Sequence, residues 1–168
     1  MRSRILKAGS VFMWAGSLVL VLGQFAAAQS WQRGLVGTWH VQVVQIDCQS
    51  GVDLGNPFPS LLTFAVGGTM AEDTTNPAFA PGQRGAGQGV WSPKRGTYAA
   101  RSAAFINFTT PPDPETHNPG FEAGQQTITQ VITLKNDHEW TSSAAIEFTD
   151  STGAVYRQGC ALASAQRF

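Results

Sequence analysis

The sequence predicts an all-β domain, and within that class an antiparallel up-and-down β-barrel of about eight strands. Three observations predict it. Over 127–135 Ile128, Gln130, Ile132 and Leu134 alternate with Thr127, Thr129, Val131, Thr133 and Lys135, and over 140–149 Trp140, Ser142, Ala144, Ile146 and Phe148 alternate with Thr141, Ser143, Ala145, Glu147 and Thr149, with Asn136-Asp137 between the two runs, which is the period-two signature of a half-buried hairpin. Charged residues make up only 13% of the chain, while Gly, Ser, Thr, Ala and Gln are abundant, a composition of strands and turns more than of solvent-exposed helices. Finally, the strand-like runs follow one another with turn signals between them, so neighbours in sequence should be neighbours in the sheet.

Taken in order, the first run is 35–47, rich in Val and Ile with Gln interleaved. A short apolar run at 61–66 is turned by Gly67-Gly68 into 69–72, which reads as a hairpin. Residues 76–89 are dense in Gly, Pro and Ala without any period, and are expected to form a long irregular loop able to cover one end of the barrel. A brief strand at 88–92 surrounds Trp91, and the turn at 93–96 leads into a longer one at 97–109. Pro111-Pro112-Asp113-Pro114 ends that strand, because proline supplies no ladder donor. A second irregular loop runs through Asn118-Pro119-Gly120, followed by the alternating pair 127–135 and 140–149. The Ser151-Thr152-Gly153 turn then gives the last strand, 154–168.

Residues 1–28 read as a secretory signal peptide. Arg2, Arg4 and Lys7 give a basic start, 11–22 an apolar run, and Ala26-Ala27-Ala28 the small side chains of a cleavage site. The run is short for a span of about 20 residues and is interrupted by Gly16 and Ser17, so no stable membrane anchor is expected. The predicted mature chain, 29–168, is one domain in size. It keeps eight of the eleven Lys and Arg against eleven Asp and Glu, a net charge of about −3. That balance leaves no basic footprint for nucleic acid or for an anionic membrane. The destination is secreted or periplasmic, where an even cysteine pair bonds, and Cys48 and Cys160 are therefore expected to form a disulfide. A zinc site would need more Cys or His at short spacing than the scattered His40, His117 and His138 provide, so no metal and no cofactor is implied.

An immunoglobulin-type sandwich would place its Trp soon after the first Cys and its second Cys much closer than position 160. A meander removes its exposed edges by pairing the last strand with the first, which favours the barrel.

Gly37-Thr38-Trp39 resembles the G-x-W motif that opens the first strand of lipocalins and the wider calycin group of barrels. That resemblance implies an Arg near the end of the last strand lying across the Trp ring, and Arg167 stands at the expected place. The chain is also similar to small exported bacterial proteins of uncharacterised activity that share G-T-W, G-G-T and G-V-W, here 37–39, 67–69 and 89–91. The T-D-Y-type motif of lipocalins proper is absent. Facing residues of an antiparallel pair have a constant number sum: Trp39 with Arg167 gives 206 and Cys48 with Cys160 gives 208. The two differ by one diagonal step, and their parity puts the Trp–Arg pair and the disulfide on opposite faces of one ladder.

No Gly-x-Ser-x-Gly elbow, phosphate loop or His-Glu-x-x-His motif occurs, so no catalytic residue is assigned. Asp47 and Glu147 read as solvated strand residues and His40 as an exposed one. Alternation turns Ile128, Gln130, Ile132, Trp140, Ser142, Ala144 and Ile146 inward, and on the earlier strand Tyr98, Ser102, Ala104, Ile106 and Phe108. These residues form the expected ligand lining, apolar but partly small and polar. The function this predicts is a secreted barrel that binds a small apolar or amphipathic ligand without catalysis. Two alternatives stand beside it. One is a barrel enzyme, resembling allene oxide cyclase-like barrels, that steers cyclisation or isomerisation of a hydrophobic substrate; the other is an exported interaction module acting through its loops.

Overall fold

A computed structural model describes residues 34–115 and 118–168. The signal segment and His117 lie outside the described residues. Eight strands follow in chain order: β1 (Gly37–Ile46), β2 (Phe58–Phe64), β3 (Thr69–Thr74), β4 (Gly87–Lys94), β5 (Thr97–Ile106), β6 (Gly124–Asn136), β7 (Glu139–Asp150) and β8 (Val155–Arg167). Each pairs antiparallel with the next, and β8 pairs with β1, which closes the meander into an up-and-down barrel of calycin-like form.

The closing ladder runs from Trp39 opposite Arg167 to Ile46 opposite Cys160, a constant sum of 206. Cys48 lies just beyond the end of β1 and bonds to Cys160 with a Cα separation of 5.2 Å. Trp39 is buried on the inner face, and Cys160 lies on the opposite parity from the buried Ala161. The β2–β3 connection uses Gly67 and Gly68 at φ +97° and +90°, values that side-chain-bearing residues rarely adopt.

Two core clusters fill opposite ends. At the end where β1 begins, Leu35, Trp39, Phe64, Trp91, Tyr98, Ile132 and Trp140 pack together, with edge-on contacts of 6.1 Å between the Trp39 and Trp140 rings and 6.0 Å between Phe64 and Trp91. Burying each such side chain contributes roughly 1.5–3 kcal/mol. At the other end Ile106, Phe121, Ile146 and Phe148 form a smaller cluster with Phe79 and Tyr156 against it. Phe79 and Phe121 belong to the two long loops, and their rings stack at 4.3 Å. The Arg157 guanidinium covers Phe121 at 4.7 Å and donates to the carbonyls of Pro119 and Gly120. Segment 75–86, legible in the sequence only as an aperiodic loop, thus folds across one end of the barrel.

Three strand limits differ from expectation by three residues. β2 starts at Phe58 rather than at residue 61, β5 stops at Ile106 rather than at 109, and β6 starts at Gly124 rather than at 127. The second difference has a clear cause: the Asn107 N–H leaves the ladder to donate to the Gln83 carbonyl at 2.7 Å.

Candidate functional site

The end of the barrel that holds Trp39 is sealed. The Arg167 guanidinium lies 4.1 Å from the centre of the Trp39 ring, and its three nitrogens donate to the carbonyls of Asp137, Val36 and Gly34 at 2.6, 2.8 and 2.8 Å. Trp39 itself donates through Nε1 to the Leu35 carbonyl. Gly37 is required by this arrangement, since its φ is +133° and a Cβ there would sit 2.7 Å from Arg167 Nη1. Among the described residues these hold the frame at this end of the barrel.

The interior cavity lies further along the barrel, toward the 75–86 loop. Strand register stacks its walls in rows. One row carries Trp140, Ala165, Val41, Ser60 and Thr74 from β7 round to β3. The next carries Ser142, Ala163, Val43 and Phe58, and a third brings Ala144 opposite both Ala161 and Gln130. Because β8 presents only alanine at its inward positions 161, 163 and 165, these rows do not meet across the barrel axis. About 60 Å³ stays free, bounded also by Ile128, Ile146, Glu72, Gln126, Asn76 and Phe79. Two buried polar atoms of lining residues, Trp140 Nε1 and Thr74 Oγ1, have no hydrogen-bond partner.

One wall is charged. Glu72 of β3 and Arg84 of the covering loop form a salt bridge at 2.7 Å, their side chains only 7% and 5% exposed. Arg84 also donates through Nε to Gln126 Oε1 and through Nη1 to the Gly85 carbonyl. The second Glu72 oxygen accepts from Ser102 Oγ at 2.9 Å. Gly87 gives this carboxylate its room, since a Cβ there would stand 3.0 Å from Glu72 Oε2. The same loop is pinned by Gln83, which is fully buried. Its Nε2 donates to the Phe108 carbonyl and to Thr110 Oγ1, and its Oε1 accepts from the Ala80 N–H.

Of the residues named from sequence as the lining, Ile128, Gln130, Trp140, Ser142, Ala144 and Ile146 border the cavity. Tyr98, Ser102, Ala104, Ile106 and Ile132 are buried in the interior but do not border it. Glu72 explains the β5 side of this division: its carboxylate is bound to Ser102, and Arg84 lies beyond it on Gln126, the partner of Ala104. Phe108 is corrected outright. It lies past the end of β5 and is 41% exposed, because Gln83 captures its backbone carbonyl and takes the chain off the alternating ladder.

Glu72, Arg84, Gln126 and Thr74 were not singled out from sequence. Period-two reading through Met70, Glu72 and Thr74 gives the inward side of β3, so the carboxylate could have been found. Arg84 carried no signal, as it stands in an aperiodic loop. Among the described residues no group of three or more His, Cys, Asp and Glu side chains gathers into a metal-ligand cluster. His40 is exposed and stacks on Phe168 at 4.7 Å. No protein-family model matches the chain, and no curated protein matches it in sequence.

Proposed function

We propose that this chain is an exported, lipocalin-like barrel that holds one small apolar or amphipathic molecule in its interior without catalysing a reaction. The observation that carries the reading is the alanine-walled cavity between two packed ends, with apolar Val41, Val43, Phe58 and Ile128 beside polar Gln130 and Ser142. Its 60 Å³ is well below the roughly 150 Å³ that accommodates benzene. A compact molecule fits this space as it stands, and a five-membered ring with six heavy atoms, the size of benzene, enters as Phe79 and its loop lift away. The Cys48–Cys160 disulfide and the signal-like segment 1–28 support export.

The test is a titration of the ¹⁵N-labelled mature protein with two ring compounds of matching shape, cyclopentanone and methylenecyclopentane. Saturable binding of at least one, lost in Ala144→Phe, is expected. If neither binds and Ala144→Phe unfolds the protein, the interior is a packed core and the reading passes to a module that acts through its loops.

The buried Glu72 beside the cavity favours a second reading, a barrel enzyme that steers cyclisation or isomerisation of a hydrophobic substrate. Both carboxylate oxygens are already engaged, by Arg84 and by Ser102, so the carrier reading is preferred. Incubation of reactive hydrophobic epoxides with wild type and Glu72→Gln, followed by chromatography of the products, separates the two. A product formed by wild type and lost in the variant would favour the enzyme.

A further inference from the structure

We infer that the occupant of the cavity is a neutral molecule bearing a hydrogen-bond acceptor oxygen, such as a ketone, ester or cyclic ether, and that this oxygen meets the indole N–H of Trp140. The inference rests on the carrier reading and adds to it the polarity and charge of the ligand.

Three tryptophans are described, and two of them have their N–H groups satisfied by protein. Trp39 donates to the Leu35 carbonyl at 2.9 Å and Trp91 to the Ala65 carbonyl at 3.1 Å. Trp140, only 1% exposed and part of the cavity wall, has no acceptor. An indole N–H can only donate, and a buried donor left unpaired is destabilising. A ligand that supplies the acceptor is therefore selected over one of the same shape that does not.

Three of the other polar groups around the cavity are already engaged elsewhere. Ser60 Oγ donates to the Asp73 carbonyl at 2.7 Å, both Glu72 oxygens are taken, and Gln126 Oε1 accepts from Arg84. Thr74 Oγ1 is the second unpartnered atom, on the same ladder row as Trp140 through Ala165, Val41 and Ser60. A ligand with a second polar atom can engage it, since a hydroxyl both donates and accepts.

Charge decides between a neutral oxygen and a carboxylate. Among the described residues the only charged one bordering the cavity is Glu72, and its counterion Arg84 is spent on it. An anionic head would lie near a carboxylate with no free cation among the described lining residues to meet it, whereas burying a neutral carbonyl costs far less than burying a charge.

The experiment compares cyclopentanone, methylenecyclopentane and cyclopentanecarboxylate as probes, with the indole ¹H–¹⁵N resonances of the mature protein as the readout. Cyclopentanone should bind about tenfold more tightly than methylenecyclopentane. It should move the Trp140 indole resonance while leaving those of Trp39 and Trp91 nearly in place. Cyclopentanecarboxylate should bind more weakly than the ketone. In Trp140→Phe, which keeps an aromatic wall without the donor, the preference for ketone over hydrocarbon should collapse. Equal affinity for the two neutral probes, or saturation by the ketone with an unmoved Trp140 resonance, would overturn the inference and leave the carrier reading intact. Tightest binding by the carboxylate would also overturn it. Failure of every probe to bind would remove the carrier reading together with the inference. If Trp140→Phe does not fold, the wild-type comparison and the wild-type resonance decide alone.

Discussion

Replacing Arg84 by Met tests whether the covering loop is held by charge. In the native barrel the Arg84 and Glu72 side chains are 5% and 7% exposed and 2.7 Å apart. Removing one member of such a pair leaves a buried charge without its counterion, a loss of about 3–5 kcal/mol. After Arg84→Met, Glu72 keeps only the Ser102 hydroxyl as a described hydrogen-bond donor. Arg84 belongs to a loop, however, and lifting that loop lets water reach the carboxylate. The loss should therefore fall at the lower end, about 3 kcal/mol, and appear partly as local opening. Glu72→Met should cost less, about 1–2 kcal/mol, because a flexible guanidinium can swing out to solvent. The double variant replaces the pair by two apolar side chains and should return to within about 1 kcal/mol of wild type. Urea unfolding followed by tryptophan fluorescence gives the cycle, and hydrogen exchange across 75–86 reports the opening. Additive losses in the double variant would refute the pair as an energetic unit. So would Arg84→Met with unchanged exchange in the loop.

Three further expectations concern the frame. Trp39→Ala should cost about 3–5 kcal/mol in urea unfolding, and Arg167→Ala about 2–3, since it loses three carbonyl partners as well as the ring; a nearly neutral Trp39→Ala would disprove the sealing role. Reduction of Cys48–Cys160, which are 112 residues apart, should lower stability by about 4–5 kcal/mol on the loop-entropy account, and a reduced protein with an unchanged melting temperature would contradict it. Asp47 is held below the ordinary carboxylate value of 3.8 chiefly by the Ser50 N–H, and Asp150 chiefly by the Thr152 hydroxyl. A depressed carboxylate stabilises the fold above its unfolded value and ceases to as pH falls through its folded one. The Asp47→Asn and Asp150→Asn double variant should therefore show a flatter acid limb below about pH 4 than wild type, and parallel urea midpoints over that range would count against it.

Local pattern carried the sequence reading wherever one strand decides its own faces. β6 and β7 alternate through their central residues, and their inward residues Ile128, Gln130, Trp140, Ser142 and Ala144 do reach the cavity wall. The closing register was legible because two pairs, Trp39 with Arg167 and Cys48 with Cys160, gave almost the same number sum. What escaped was decided between segments distant in sequence. Phe108 continues the alternation of β5 on paper, but Gln83, 25 residues earlier, takes its carbonyl. The β5 residues Ser102 and Ala104 face inward as read, yet the Glu72 carboxylate and the Arg84 that crosses from the loop stand on that side of the barrel. No composition or period marks an arginine in a Gly, Pro and Ala-rich loop as the partner of a carboxylate in another strand.

The alanines of β8 bear on whether the cavity is an accident of packing. A barrel that gains only stability from its interior would favour larger β-branched residues at 161, 163 and 165, where each added methyl(ene) group buried contributes about 0.8 kcal/mol. Ala163 faces Val43 and Ser142 across its two neighbouring strands and borders the free space. Ala163→Val would add two such groups without leaving strand-compatible geometry. After side-chain ordering is subtracted, a gain of about 0.5–1.5 kcal/mol is expected, together with weaker uptake of cyclopentanone. Both readouts come from one variant: urea unfolding for the first and the Trp140 indole resonance for the second. Should Ala163→Val lose about 1–3 kcal/mol instead, as overpacking does, the interior holds no usable space, and the small residues of β8 exist to let the opposite wall close upon them.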